Sequence, residues 1–423
     1  MKRKHALLAL LAVFSMVLAA CGPAAEPYVC EDAIGCVDIA PDEPIKIAYM
    51  QPLTGAAVVY GESLEGAITL AASERGNKLL GHDLELVGED SQCSAEGGEA
   101  AALKVAADPT IVGVIGTTCS SAMTAAMATI SEAGLTIISQ ANTSPKLTNP
   151  NETWMPGYFR TAHNDLFQGA VAARFAYEQL GLRSASAIHD GDPYTEGLAQ
   201  AFLNSFEDLG GEILAFEAVN KGDTDMRPVL TTIAANPPDV LYFPIFEPEG
   251  NFIAAQSVEI PGLENTTLFG ADGLTVSTFA PSTGEGALGM YLSGPYLTGA
   301  EAQEFLSRYQ DMHGELPPGP FGEHGYDGFN ILLAAIEKVA VVDDDGTLHI
   351  GRQALRDAVE ETSGYEGLTG TLSCAPKALE PGVNYRGDCA TGEALAIFQV
   401  DADWIATEDV YQMGVHPPVV WTP

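Results

Sequence analysis

The chain has 423 residues, of which 57 are Asp or Glu and 19 are Lys or Arg, for a formal charge of −38. Its length points to about two domains, and 46% hydrophobic residues supply ample material for their cores. The acidic excess excludes nucleic acid as a partner, because phosphate binding needs a basic face, and argues equally against docking on anionic lipid headgroups.

Lys2, Arg3 and Lys4 precede an apolar run from Ala6 to Ala20 that contains a single hydroxyl, Ser15. This is the pattern of a secretory signal, and it is short for a membrane-spanning helix. The run ends Leu18-Ala19-Ala20-Cys21, which resembles a lipobox. Residues 1–20 are therefore expected to be a lipoprotein signal peptide, with Cys21 carrying the lipid. Residues 21–43, rich in Ala, Pro and acid, are expected to be a tether. Three basic residues leave with the signal, which takes the charge to −41. No other segment has eighteen uninterrupted apolar residues, so the body is expected to be soluble and held at the membrane by lipid alone.

Export favours disulfides. Proximity pairs Cys30 with Cys36 and Cys374 with Cys389, leaving Cys93 and Cys119, although proximity alone does not decide among the possible connectivities. No CxxC spacing suggests zinc.

From Ile45 onward, short apolar runs alternate with helical periods. Strands are expected at Ile45–Leu53, Leu84–Gly88, Ile111–Gly116 and Leu135–Ser139, and helices at Ser63–Arg75, Glu96–Ala107 and Ser121–Ala133. The rhythm stops over 142–160 and restarts. Helices follow at Asp165–Leu180, Thr195–Leu209, Met226–Ala235 and Glu249–Val258, between strands Ser184–His189, Glu212–Val219, Val240–Phe246 and Thr267–Gly270. After Met290–Ser293 come helices Ala302–His313, His324–Val341 and Gly351–Glu361, then strands Thr369–Ser373 and Ala394–Val400. Near-continuous apolar strands alternating with helices mean parallel sheets covered on both faces.

Catalytic patterns are missing. Gly61-Glu62-Ser63-Leu64-Glu65-Gly66 has the wrong spacing for a nucleophile elbow, and neither a phosphate loop nor His-Glu-x-x-His occurs. His163, His189, His313, His324, His349 and His416 show no metal spacing. Cys119-Ser120-Ser121 has no matching base, and in an exported chain Cys119 is expected to be oxidised. Asp343-Asp344-Asp345-Gly346 lacks the other positions of a calcium loop and reads as a solvated turn. No enzymatic activity, metal or cofactor is expected.

The informative residues lie in loops after the expected strands, where open α/β sheets bind ligands. They are Pro52-Leu53-Thr54-Gly55 with Val59-Tyr60-Gly61, Gly116-Thr117-Thr118-Cys119-Ser120-Ser121, and Ile138 to Pro145. The second half adds His189-Asp190-Gly191-Asp192-Pro193-Tyr194, Phe246 and Gly270-Ala271-Asp272-Gly273. In this order and spacing they resemble the type I periplasmic solute-binding proteins, in particular the leucine/isoleucine/valine-binding receptors of ABC transporters. The resemblance runs from about Ile45 to Trp404.

It implies an α/β fold of two doubly wound parallel-sheet lobes joined by a three-strand hinge. The lobes would comprise 44–160 with 295–393, and 161–294 with 394–423, with crossings near Arg160, Gly294 and Gly392. It also implies a disulfide before the ligand-binding Ser, matching Cys93–Cys119. Carried over residue by residue, Ser120 and Thr143 would hold a ligand carboxylate, with Ala141 acting through its backbone. Asp272 would hold an ammonium, and Tyr194 would contact the polar end. Tyr60, Phe246 and Phe321 would line the side-chain pocket. Asp272 stands where leucine-type receptors have Glu, Phe246 where Tyr is usual, and Thr195 where Gly is usual. Local structure offers plainer readings: helix capping for Ser120 and Thr143, a turn for Asp272, and core packing for Tyr60 and Phe321.

The function implied is that of an extracytoplasmic, lipid-anchored monomer that captures a small amino acid, branched-chain or related, and delivers it to an ABC permease. The alternatives are a sensor of the same fold for a small amide, urea or aromatic acid, and an exported hydrolase, which the missing nucleophile–base spacing opposes. Nearly all the remaining acids are expected to form a solvated face.

Overall fold

The computed structural model describes residues 28–297, 300–390, 392, 394–408 and 418–423. The signal peptide, Cys21 and His416 lie outside these. The first half contains strands β1 (Cys36–Ile39), β2 (Ile45–Gln51), β3 (Lys78–Leu79), β4 (His82–Asp90), β5 (Ile111–Gly116), β6 (Ile137–Ser139) and β7 (Tyr158–Arg160). Helices α1 (Val58–Glu74), α2 (Ala95–Ala107) and α3 (Ser120–Glu132) alternate with them. The second α/β block comprises α4 (Asp165–Arg174), β8 (Ser184–His189), α5 (Pro193–Asp208), β9 (Glu212–Ala218) and α6 (Arg227–Ala234). It continues with β10 (Val240–Tyr242), α7 (Glu249–Ser257), β11 (Thr267–Gly270) and β12 (Tyr291–Pro295). Then come α8 (Ala300–His313), α9 (Gly322–Val339), β13 (Val341–Val342), β14 (Leu348–Gly351), α10 (Arg352–Glu360), β15 (Leu395–Gln399) and β16 (Val419–Trp421).

Two sheets result. The first has the order β3-β4-β2-β5-β6-β7 and the second β16-β15-β12-β11-β10-β8-β9. From β4 and from β9 each runs through the same doubly wound order, the second strand outside the first and then the third, fourth and fifth. These strands are parallel, while β15 joins β12 antiparallel. The central strand β5 is buried along its whole length, which is why Ile111–Gly116 reads as an unbroken apolar run. Each sheet has a core on both faces. Ile47, Leu64, Ile115 and Leu332 pack on one side of the first, and Ala48, Val114, Met123 and Ile137 on the other. Leu241, Ile253 and Leu292 face one side of the second, and Phe202, Tyr242 and Phe269 the other.

The chain passes between the sheets after β7 into α4, after β12 into α8, and again on entering β15. Three disulfides are present: Cys30–Cys36, Cys93–Cys119 and Cys374–Cys389.

Several expectations need correction. The stretch 21–43 is not wholly a tether, because β1 pairs antiparallel with β14 and buries Val37 and Ile39. Its alternating apolar pair finds a face to cover more than three hundred residues away in sequence. Helix α1 starts at Val58 rather than Ser63, so Tyr60 lies in its first turn and not in a loop. A side chain at Gly61 would put a Cβ 2.2 Å from the Pro52 carbonyl oxygen, so glycine lets the helix close on that loop. Strand β10 stops at Tyr242 instead of Phe246, because Pro244 has no N–H for a ladder. Among the described residues no helix is long and apolar enough to cross a membrane, and no group of His, Cys, Asp or Glu is arranged to hold a metal.

Candidate ligand-binding site

The loops at the carboxyl ends of the two sheets face each other around a cavity of about 250 Å³ counting its mouth. On the side of the first sheet it is lined by Tyr60, Thr118, Ser120, Ala141 and Phe321. Tyr194, Phe246 and Asp272 line it from the second. Seven of the eight residues picked out from sequence thus meet at one place, the exception being Thr143. Thr118 is an addition.

Each position has a local cause. Strand β5 ends at Gly116, whose φ of +136° is open to glycine, and a Cβ there would lie 2.4 Å from the Met50 carbonyl oxygen. The next residues turn sharply into α3, with Cys119, tied to Cys93, as its N-cap and Ser120 as its first residue. The first N–H groups of α3 have no helical carbonyl to reach, so this end carries a partial positive charge. Buried amides fix the turn. Gln140 Nε2 donates to Gln51 Oε1 and to Thr118 Oγ1, both at 2.9 Å, and Thr118 Oγ1 donates to Gln51 Oε1. Asn142 Nδ2 donates to the Thr118 carbonyl at 2.8 Å.

The neighbouring 142–148 loop is held from behind by Arg160. This fully buried guanidinium donates to the carbonyls of Asn142 and Ser144 at 2.9 Å and to Thr148 Oγ1 at 3.1 Å, and pairs with Asp388 at 2.5 Å. Thr143 stands one layer behind the cavity wall. Its hydroxyl is buried, faces the Asp165 carboxyl and makes no hydrogen bond of ordinary geometry.

The opposite wall carries one acid, Asp272, and a second, Asp165, is buried behind the lining. Asp272 Oδ1 accepts from Gln168 Nε2 at 2.6 Å and from the Tyr194 hydroxyl at 3.0 Å. Burial pushes this carboxyl up to about 6, against the pull of those two donors. Asp165, the first residue of α4, is fully buried with neither carboxylate oxygen hydrogen-bonded among the described residues. Burial first, and then the nearby charge of Asp272, hold it well above the ordinary carboxylate range. Arg160 offsets part of this but is already paired with Asp388. His163 brings no charge either. Burial holds it down at about 4, and since Gln168 Oε1 can only accept, His163 Nε2 is the donor across their 2.5 Å contact.

Aromatic rings close the cavity. The Tyr60 hydroxyl crosses from the first lobe to the Gly273 carbonyl at 3.0 Å, and Phe246 packs against both Tyr60 and Tyr194. Phe321 stacks on His163 and meets His324 edge to face.

Thr118, Asp165, Gln168 and Arg160 escaped the sequence reading. Asp165 and Gln168 had looked like the polar start of an ordinary helix, and Arg160 had served only to mark a crossing. The run Arg160-Thr161-Ala162-His163-Asn164-Asp165, three ionisable side chains just where the chain leaves a strand, was the available signal for Asp165.

The chain matches the family model described as periplasmic binding protein over residues 44–401. It is 28% identical over 312 residues to the leucine-, isoleucine-, valine-, threonine- and alanine-binding protein of Pseudomonas aeruginosa, covering 72% of this chain and 80% of that protein. It is 28% identical over 271 residues to the Leu/Ile/Val-binding protein of Escherichia coli, covering 62% of this chain and 71% of that one. In fold it is similar to a leucine-binding protein of Thermotoga maritima, with a TM-score of 0.72 at 24% identity over 85% of this chain and 96% of that one. A solute-binding protein of R. palustris in complex with benzoate gives 0.69 at 19% identity, over 85% and 94%. The chain belongs to the periplasmic binding protein family.

Proposed function

We propose that this protein is the exported substrate-binding component of an ABC importer and that its cargo is a small α-amino acid, branched-chain or related. The observation that carries the reading is the polarity of the cavity. One wall ends in the positive end of α3 with Ser120, and the other carries the buried acid Asp272, with a second buried acid, Asp165, close enough behind it to feel its charge; neither meets a free cation among the described residues. A zwitterion matches both walls at once, its carboxylate toward Ser120 and its ammonium toward the acids. A benzoate would leave Asp272 facing an apolar ring. In this reading Ala141 and Thr143 support the carboxylate end, Tyr194 the polar end, and Tyr60, Phe246 and Phe321 enclose the side chain. The relatives that carry Leu, Ile and Val in their names support the same class.

The ligand bridges two lobes already joined by Tyr60, so it favours the closed form, and a permease would read closure as occupancy. Binding without turnover is the whole task. The Cys21 lipid anchor and a monomeric state complete the proposal. A calorimetric screen of the twenty amino acids, with benzoate, urea and small amides alongside, tests it. Micromolar or tighter binding of at least one small apolar amino acid is expected. Binding of benzoate or an amide with no amino acid would overturn it.

A further inference from the structure

A second and larger cavity, about 700 Å³ counting its mouth, lies beside the first. Among the described residues Phe321 is the one that lines both, so its ring is the partition between them. Its backbone is left-handed, at φ 75°. Leu306, Pro317 and Pro320 wall the cavity from the first lobe, and Tyr296 and Phe398 from the second. Most of this lining is apolar, but two polar side chains from the first turn of α9 also line it. Glu323 is one of them, and His324, the other, is 4% exposed with Nδ1 lacking any hydrogen-bond partner among the described residues.

A buried imidazole nitrogen without a partner forfeits a hydrogen bond, which native interiors avoid. Burial, and then His163, hold His324 down at about 3, so the ring is neutral and Nδ1 accepts in the tautomer protonated on Nε2. Burial and the charge of Asp327 push Glu323 up to about 7. Its ionised form therefore gains from a cation brought within reach. A single ammonium has donors enough for both groups. The acidic body, at −38, further concentrates cations around the cleft.

We propose that this cavity is a second ligand site, for a small primary amine with an apolar body, whose ammonium sits between Glu323 and His324. The apolar part packs on Leu306, the two prolines and Phe398. Because the cavity draws its walls from both lobes, the amine stabilises the closed form and tightens binding in the first cavity. By linkage the first ligand tightens the amine equally.

Benzylamine is the probe, titrated calorimetrically into the intact exported protein. Millimolar or tighter binding is expected, with benzyl alcohol, similar in shape and uncharged, at least tenfold weaker. Glu323→Gln, which keeps the shape of the side chain, is expected to lose at least tenfold. Leu306→Trp, which fills the cavity from a half-buried position, is expected to abolish binding, with thermal melts confirming that both variants fold. The Glu323 arm separates this site from the first, whose lining acid is Asp272. Absent benzylamine binding, equal affinity in Glu323→Gln, or equal affinity for benzyl alcohol would overturn the proposal. So would mole-for-mole displacement by a first-site ligand, which would make the two cavities one. The test does not depend on what the first cavity binds.

Discussion

Asp272→Asn keeps the shape of a cavity wall and removes its charge, and it is expected to move stability and binding in opposite directions. In the empty protein the carboxyl is raised from an ordinary 3.8 to about 6 by burial. Ionised at neutral pH, it costs the fold roughly 3 kcal/mol. Asn removes that cost and weakens the donations from Tyr194 and Gln168, a loss of about 1–2 kcal/mol. A net gain of about 1–2 kcal/mol remains. The sign follows from the direction of the shift. The cost is full above pH 6 and vanishes below 3.8, so the advantage of the variant should vanish there too. Binding goes the other way, since an ammonium loses a desolvated charge partner. That costs about 2–5 kcal/mol, or roughly 30-fold to several thousand-fold in Kd. Urea unfolding of the ligand-free variant at pH 7.5 and at pH 3.5, with calorimetry on the amino acid bound by the parent, reads both. A less stable empty variant with unchanged affinity would refute the reasoning.

Affinity should also depend on pH. Below about 6 the ligand must displace the proton from Asp272, so affinity should fall by up to about tenfold per unit as the medium acidifies and level off above. Calorimetry from pH 4.5 to 8 checks this, and a flat profile contradicts it. Replacing both Cys93 and Cys119 with Ala opens a cross-link spanning 26 positions and should cost about 3.5 kcal/mol in urea unfolding. It should also weaken ligand binding, because Cys119 caps the helix that presents Ser120; unchanged stability and affinity would count against the role given to that cap. His349 reports on the N-terminal strand. Burial pulls its pKa down, but hydrogen bonds to Asp38 at 2.8 Å and Asp343 at 3.1 Å prevail and raise it. The stability it adds is full below 6.5 and is lost as pH rises through its folded value, so proteolysis near β1 should be faster at pH 8 than at pH 6. Asp38→Asn should shrink that difference.

The alternation of apolar runs and helical periods carried most of the fold, because each doubly wound strand is buried locally on both sides, as Ile111–Gly116 shows. Strand β1 could not be read, since Val37 and Ile39 become core only against β14. For Tyr60, a glycine next door disguised a helical turn. The site was legible where a loop follows a strand directly, as for Ser120, Ala141 and Asp272. It was illegible where the decisive fact is a long-range meeting. Gln168 reaches Asp272 across 104 positions, and Arg160 finds Asp388 across 228. Thr118 sat inside a motif whose Ser drew the eye, and only the Gln51–Gln140 network shows that it faces the cavity.

The claim that buried Asp272, with Asp165 behind it, selects a ligand ammonium is tested most directly by matched pairs. Leucine, isoleucine, valine and alanine are each titrated beside the same molecule lacking its amino group, such as 4-methylpentanoate for leucine. The amino acid that binds should do so at least a hundredfold more tightly than its deaminated partner. Equal affinity within a pair, or tighter binding of the deaminated acid, would contradict the account.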